Sequence, residues 1–258
     1  MAYELVLIFG ILSIIIGIVP SIGFAIWRFG LKKDLWYSWL LGGLFWTLAM
    51  ISRAIPLIIL ISLVSIPQHI ILISTILAGI FETVFRVLLF LLFTKYTANN
   101  KEKVIMAGIG WGTIEAIFIH TIPLLFFLLS FRDSELMLHL DGIEYILLFG
   151  GFERLITELF HVVMMIFIFY GIKHKLKDIK VSKPIENKFY SVDPRPVWIW
   201  ILIVTFLHFS YDFIFIVLWI WLGLLLSYLI MTGILFILIF YTVKRIRIYP
   251  LFPVVEGD

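Results

Sequence analysis

The sequence predicts an all-α, polytopic membrane bundle of about seven spans. Three observations predict it. Hydrophobic residues make up 62% of the chain and charged residues 14%, whereas a soluble domain is about half apolar and a quarter charged. The apolar residues fall into runs of about twenty or more, the length that crosses a bilayer as a helix. Lys and Arg gather in alternate loops, the pattern that marks the cytoplasmic side. With 258 residues and little outside the runs, residues 1–258 form a single integral membrane domain. The lipid bilayer is thus the first partner. The net charge of +3 resides in loops between spans and sets orientation, so nucleic acid is excluded as a partner. The absence of cysteine excludes disulfides, thiolate zinc sites and cysteine nucleophiles.

The first span covers Tyr3 to Ile26. Met1 to Glu4 has no basic leader region, so this reads as a retained span and not a signal peptide. The second runs from Leu35 to Val64 with Arg53 and Pro56 inside it, and the third from His69 to Thr94 with Glu82 and Arg86. The fourth, Val104 to Ser130, carries Glu115, His120 and Pro123. The fifth lies between Ile143 and Ile172, where Gly150-Gly151 is a candidate break that would leave a short interfacial helix first. Val197 to Val243 is too long for one crossing and divides near Trp219 to Gly223, giving a sixth span with His208 and Asp212 and an apolar seventh.

Arg28, Lys32 and Lys33 follow the first span, Lys95, Lys101 and Lys103 the third, and seven basic residues from Lys173 to Arg195 the fifth. The connectors around Ser65 to Gln68 and Arg132 to Glu144 are neutral or mostly acidic. This asymmetry predicts an outside N-terminus, a cytoplasmic C-terminus and a cytoplasmic loop over 173–196, made irregular by Pro184, Pro194 and Pro196. His69, His139 and His174 read as interfacial or loop residues.

Ionisable groups inside spans are costly and face a protein interior or a wet cavity. The stretch Gly150 to His161 is the densest: Arg154, Glu158 and His161 repeat at i, i+4, i+7 and share one helix face. At about 1.5 Å per residue from the cytoplasmic ends, Glu82, Glu115, His161 and His208 all lie about 17 to 20 Å deep. Four helices therefore bring acids and imidazoles to one level, and the polar site is expected within 69–218. Two pairs have internal logic at i, i+4: Glu82 with Arg86, and Asp212 as orienter or co-ligand of His208. Histidines from two helices plus a carboxylate also make a zinc set with room for water. Arg154 with Glu158 reads as a structural clamp, Glu153 belongs with them, Arg53 reads as a partner for a neighbouring span, and His120 as a polar helix contact.

The ordered motifs resemble those of the YhfC family of intramembrane metalloproteases, distant relatives of the CAAX-protease and bacteriocin-processing superfamily. The residues that carry the resemblance are Glu82 and Arg86 in Phe81-Glu82-Thr83-Val84-Phe85-Arg86, and Glu115 in Gly108-Ile109-Gly110-Trp111-Gly112-Thr113-Ile114-Glu115-Ala116. Glu153, Arg154 and His161 follow, and His208 with Asp212 closes the series. The resemblance implies a peptidase in which Glu82 activates water while His161, His208 and Asp212 bind a metal, zinc in this reading, or stabilise an oxyanion. It implies that Arg86 holds the base, and that the substrate is a membrane-anchored peptide or protein in a prokaryotic plasma membrane. The chain departs from the family where Phe81 replaces a frequent Glu and Trp111 replaces a His. An inactive scaffold of the same fold is therefore the alternative, and a proton-coupled transporter a second, since carboxylate and histidine chains also relay protons.

Overall fold

A computed structural model describes residues 2–63, 66–130, 142–173, 176 and 196–248. Among them every regular element is helical: α1 Ala2–Phe29, α2 Lys33–Leu63, α3 Pro67–Leu92, the single turn α4 Thr94–Thr97, α5 Lys101–Glu115, a π-helical stretch Ala116–Thr121, α6 Ile122–Ser130, α7 Ile143–Ile172, α8 Val197–Leu222 and α9 Leu224–Ile248. Seven helices, counting α5 through α6 as one, are long and apolar enough to cross a membrane. The seven expected spans are thus the seven found, within a few residues at each end. The expected loop over 173–196 lies largely outside the described residues, as do His139 and His174.

The boundaries follow local chemistry. Gly30 takes φ 64° immediately after α1, the left-handed stop that glycine adopts without a Cβ penalty. Gly223, at φ 77°, separates α8 from α9 inside the long apolar run. Proline opens α3, where its missing N–H would have had no helical partner. Asn100 caps α5 by accepting the Lys103 N–H at 2.8 Å. The π-helical stretch directly precedes Pro123, which has no N–H to close the regular ladder onto residue 119.

Gly150-Gly151 does not break α7, which runs unbroken through both. A Cβ on Gly151 would lie 2.4 Å from the Ser13 carbonyl oxygen, so this glycine serves the close approach of α1 to α7. The same device builds the centre of the bundle. In α5, methyl groups on Gly108 and Gly112 would fall 2.7 Å from the Cα atoms of Val162 and Glu158 on α7, and one on Gly110 would fall 1.9 Å from the Trp39 carbonyl oxygen on α2. Small residues let backbones meet where lipid offers no hydrophobic drive for association. α5 and α7 are consequently the inner pair; α2 packs on α5, α1 on α7, and α3 bridges α2 and α8.

The end of the bundle that carries the basic loops is filled by a buried apolar core including Leu89, Phe90, Val104, Ala107, Met164, Ile168, Phe169 and Trp200. The polar site sits on that floor.

Candidate functional site at the bundle centre

Arg86 lies at the centre of the site and is fully buried. Its Nη2 donates to Glu82 Oε2, one turn earlier on α3, at 3.1 Å and to His161 Nδ1 on α7 at 2.7 Å. Its Nη1 lies 3.3 Å from His208 Nδ1 on α8, and its guanidinium stacks over the Trp111 ring of α5 with 4.4 Å to the centroid. Guanidinium only donates, so both Nδ1 atoms act as acceptors and the ring proton of each histidine is assigned to Nε2. Those Nε2 atoms point at acids. His161 Nε2 is 2.6 Å from Glu115 Oε2, and His208 Nε2 is 3.4 Å from Asp212 Oδ2 and 3.5 Å from Glu82 Oε2.

Glu82 is the most heavily held acid. Besides Arg86, its Oε2 accepts the Trp111 indole N–H at 3.1 Å, while Oε1 has a 3.4 Å contact with Arg53 from α2. Oε1 therefore keeps a lone-pair direction for another donor. Glu115 links the site to a second arginine: its Oε1 takes Arg154 Nη1 at 3.3 Å. Arg154 in turn grips Glu153 with Nε and Nη2, and Thr157 donates to the same carboxylate at 2.8 Å.

The structure thus brings Glu82, Glu115, His161 and His208 together, with Asp212 attached through His208. Arg86 is at the hub and not merely a brace behind Glu82. Arg53 finds its neighbouring-span partner in Glu82. Trp111 donates a hydrogen bond to Glu82; its place one turn before Glu115 was the only hint in the sequence. The anticipated Arg154–Glu158 clamp is not formed. Arg154 turns to Glu115 and Glu153, because Glu158 faces the α1–α5 side, where Gly112 packs against it. His120 makes a helix contact as expected: its Nε2 lies 2.9 Å from Ser13 Oγ, and Ser13 donates to the Leu147 carbonyl.

Glu82, His161 and His208 each offer an atom within 4.8 Å of the others, a buried spacing that could hold a metal ion. The third member of this group is Glu82, not Asp212. The same group is already bound by Arg86, whose donors occupy both Nδ1 lone pairs. A metal bound through the Nδ1 atoms would compete with the guanidinium, whereas one bound through Nε2 would not.

Exposure rises away from the apolar floor. The side chains of Glu82 and His208 are 4% and 3% exposed, whereas Asp212 reaches 32% and Glu153 17%. Asp212 and Glu153 lie on the α8 and α7 segments nearer the end opposite the basic loops. Compared with protein-family models, with curated proteins and with solved structures, the chain matches none.

Proposed function

We propose that the chain is an intramembrane peptidase that hydrolyses a peptide bond by carboxylate-activated water. One observation carries this reading: three membrane-crossing helices converge a carboxylate and two Nε2–H imidazoles on one buried arginine. In this reading Glu82 Oε1 accepts a proton from water as it attacks the scissile carbonyl. His208 Nε2–H, held only by contacts of 3.4 and 3.5 Å, turns to the developing oxyanion. Arg86 at Nδ1 keeps that ring oriented, and Asp212 accepts the Nε2–H when no oxyanion is present. The proton gained by Glu82 passes to the leaving amine, which closes the proton balance. Arg86 fixes Glu82 and both rings without touching the substrate.

The partly exposed charges of Asp212, Glu153 and Arg154 support a water-filled vestibule, since charges at such depth do not face lipid. A membrane-anchored peptide or protein would enter there, from the end opposite the basic loops. The motifs that resemble the YhfC family support the same reading, and with it a prokaryotic plasma membrane.

Zinc is a second reading, carried by the spacing of Glu82, His161 and His208. When bound, it would lower the pKa of its water and polarise the carbonyl. It would displace Arg86 if bound at the Nδ1 atoms, and would leave Arg86 in place if bound at the Nε2 atoms. An inactive scaffold is supported by the Trp111 indole on Glu82. A transporter is disfavoured by the buried apolar core at the basic end.

The test is terminal-amine mass spectrometry of membrane vesicles incubated with the purified protein. New N-termini are expected with the wild type, and losses of on the order of a hundredfold or more in Glu82→Gln and His208→Ala. Cleavage should survive chelation. Loss on chelation with recovery on zinc would favour the metal reading, and no wild-type cleavage would favour the scaffold.

A further inference from the structure

Glu158 is the one site residue that the network above leaves out. It lies in the middle of α7, is 2% exposed, and neither of its carboxyl oxygens has a hydrogen-bond partner. Two hydroxyls stand beside it, Ser21 of α1 and Thr113 of α5, themselves 3.3 Å apart. Both have placed their protons elsewhere: Ser21 Oγ donates to the Ile18 carbonyl at 2.9 Å and Thr113 Oγ1 to the Ile109 carbonyl at 2.8 Å. With those protons engaged, each hydroxyl oxygen is free to offer lone pairs to the carboxyl group.

The charges around it are also committed. In the middle of the described spans Arg53, Arg86 and Arg154 meet Glu82, Glu115, Glu153, Glu158 and Asp212, so acids outnumber arginines. Arg53 and Arg86 are held by Glu82, and Arg154, one turn before Glu158, is held by Glu115 and Glu153. Arg154 and Glu115 are the charged groups that reach Glu158 electrostatically, and they oppose each other in sign; α1 contributes Ser21. No ion pair to Glu158 forms among the described residues. A buried carboxylate without a cation is far more costly than a carboxylic acid, which needs only an acceptor for its O–H. The two hydroxyl oxygens are such acceptors.

We infer that Glu158, with Ser21 and Thr113, is a proton-binding site in which Glu158 stays a carboxylic acid at neutral pH and donates to a hydroxyl oxygen across the α1–α5–α7 junction. The site is separate from the Glu82 network and does not depend on the peptidase reading. It is also a modification site. A hydrophobic carbodiimide reacts with a protonated carboxyl group: the acid oxygen bonds to the central carbon as one C=N bond opens, the proton passes to nitrogen, and acyl migration to nitrogen leaves a stable N-acylurea with nothing lost.

The experiment uses the full-length protein in nanodiscs at neutral pH with dicyclohexylcarbodiimide and peptide mapping. Glu158 should label on the order of a hundredfold faster than Glu102 or Glu153, because an ordinary glutamate is protonated only about once in several hundred molecules at that pH. Infrared difference spectra of wild type against Glu158→Gln should show the loss of one protonated-carboxyl C=O band, while Glu153→Gln leaves it in place. This readout does not require reagent to reach the site. Superimposable wild-type and Glu158→Gln spectra would overturn the inference. So would a band and a labelling rate that sodium suppresses but potassium does not, which would make the four oxygens a sodium site.

Discussion

Arg86 reaches both histidines with donors alone, and so it determines which nitrogen of each ring carries the proton. That turns two imidazoles into N–H donors aimed at carboxylates, with no free lone pair on the Arg86 side. Trp111 completes the arrangement by adding an indole N–H to Glu82 and a ring face to the guanidinium. Trp111→Phe should keep most of the stacking and lose the hydrogen bond to a charged acceptor. The expected cost is about 1.5–3 kcal/mol in unfolding free energy, measured by denaturant titration in mild detergent. An unchanged stability would mean that Glu82 does not rely on the indole. The depth of Glu82, Glu115, His161 and His208 was legible in the sequence because helical rise is fixed. Their azimuth was not, because it depends on how neighbouring helices turn. For that reason the Arg53 and Trp111 contacts to Glu82 escaped notice, and Arg154 was paired with Glu158 by spacing when packing assigned it to Glu115.

At the scale of elements, α5 is the helix on which the geometry depends. Its glycines face two ways: Gly108 and Gly112 admit α7, and Gly110 admits α2. The run Gly108 to Gly112 therefore has a packing reason independent of any chemistry, and it places Trp111 between the two contacts, against Arg86. Gly110→Ala would put a methyl group 1.9 Å from the Trp39 backbone oxygen, which cannot move as a side-chain tip can. A loss of about 1–3 kcal/mol is expected from overpacking. Gly233→Ala on α9 is the matching control: nothing lies within 4 Å of its added methyl, so the change should be neutral or stabilising by up to about 1 kcal/mol. Equal effects for the two variants would rule out the close-packing account. The helix-stop role of Gly223 was readable, since the apolar run was too long to be one span. The Gly150-Gly151 pair was misjudged because a glycine pair signals a break and a close approach alike, and only the partner at Ser13 distinguishes them.

At the scale of the molecule, a buried apolar core fills the basic end of the bundle and the partly exposed acids lie toward the other end. The ends of α1, α3, α7 and α9 and the starts of α2, α5 and α8 share the basic end, where the buried core lies. Asp212 and Glu153, one to two turns beyond the histidines in the other direction, are partly exposed. If the basic end is cytoplasmic, the side on which positive loops accumulate, the site opens away from the cytoplasm. The chain has no cysteine, so each single-cysteine variant carries one reporter. In intact cells, a membrane-impermeant thiol reagent should label Ile66→Cys, in the connector before α3, and leave Asn99→Cys, before α5, unlabelled until the membrane is opened. Asp212→Cys should react from the same side as Ile66→Cys, more slowly because it sits below the surface. Labelling of Asp212→Cys only together with Asn99→Cys would reverse the direction of access and place the entrance through the apolar floor. Equal labelling from both sides would favour a transporter over a peptidase, because a path joining the two sides is what a solute needs and what a one-sided hydrolytic site must lack.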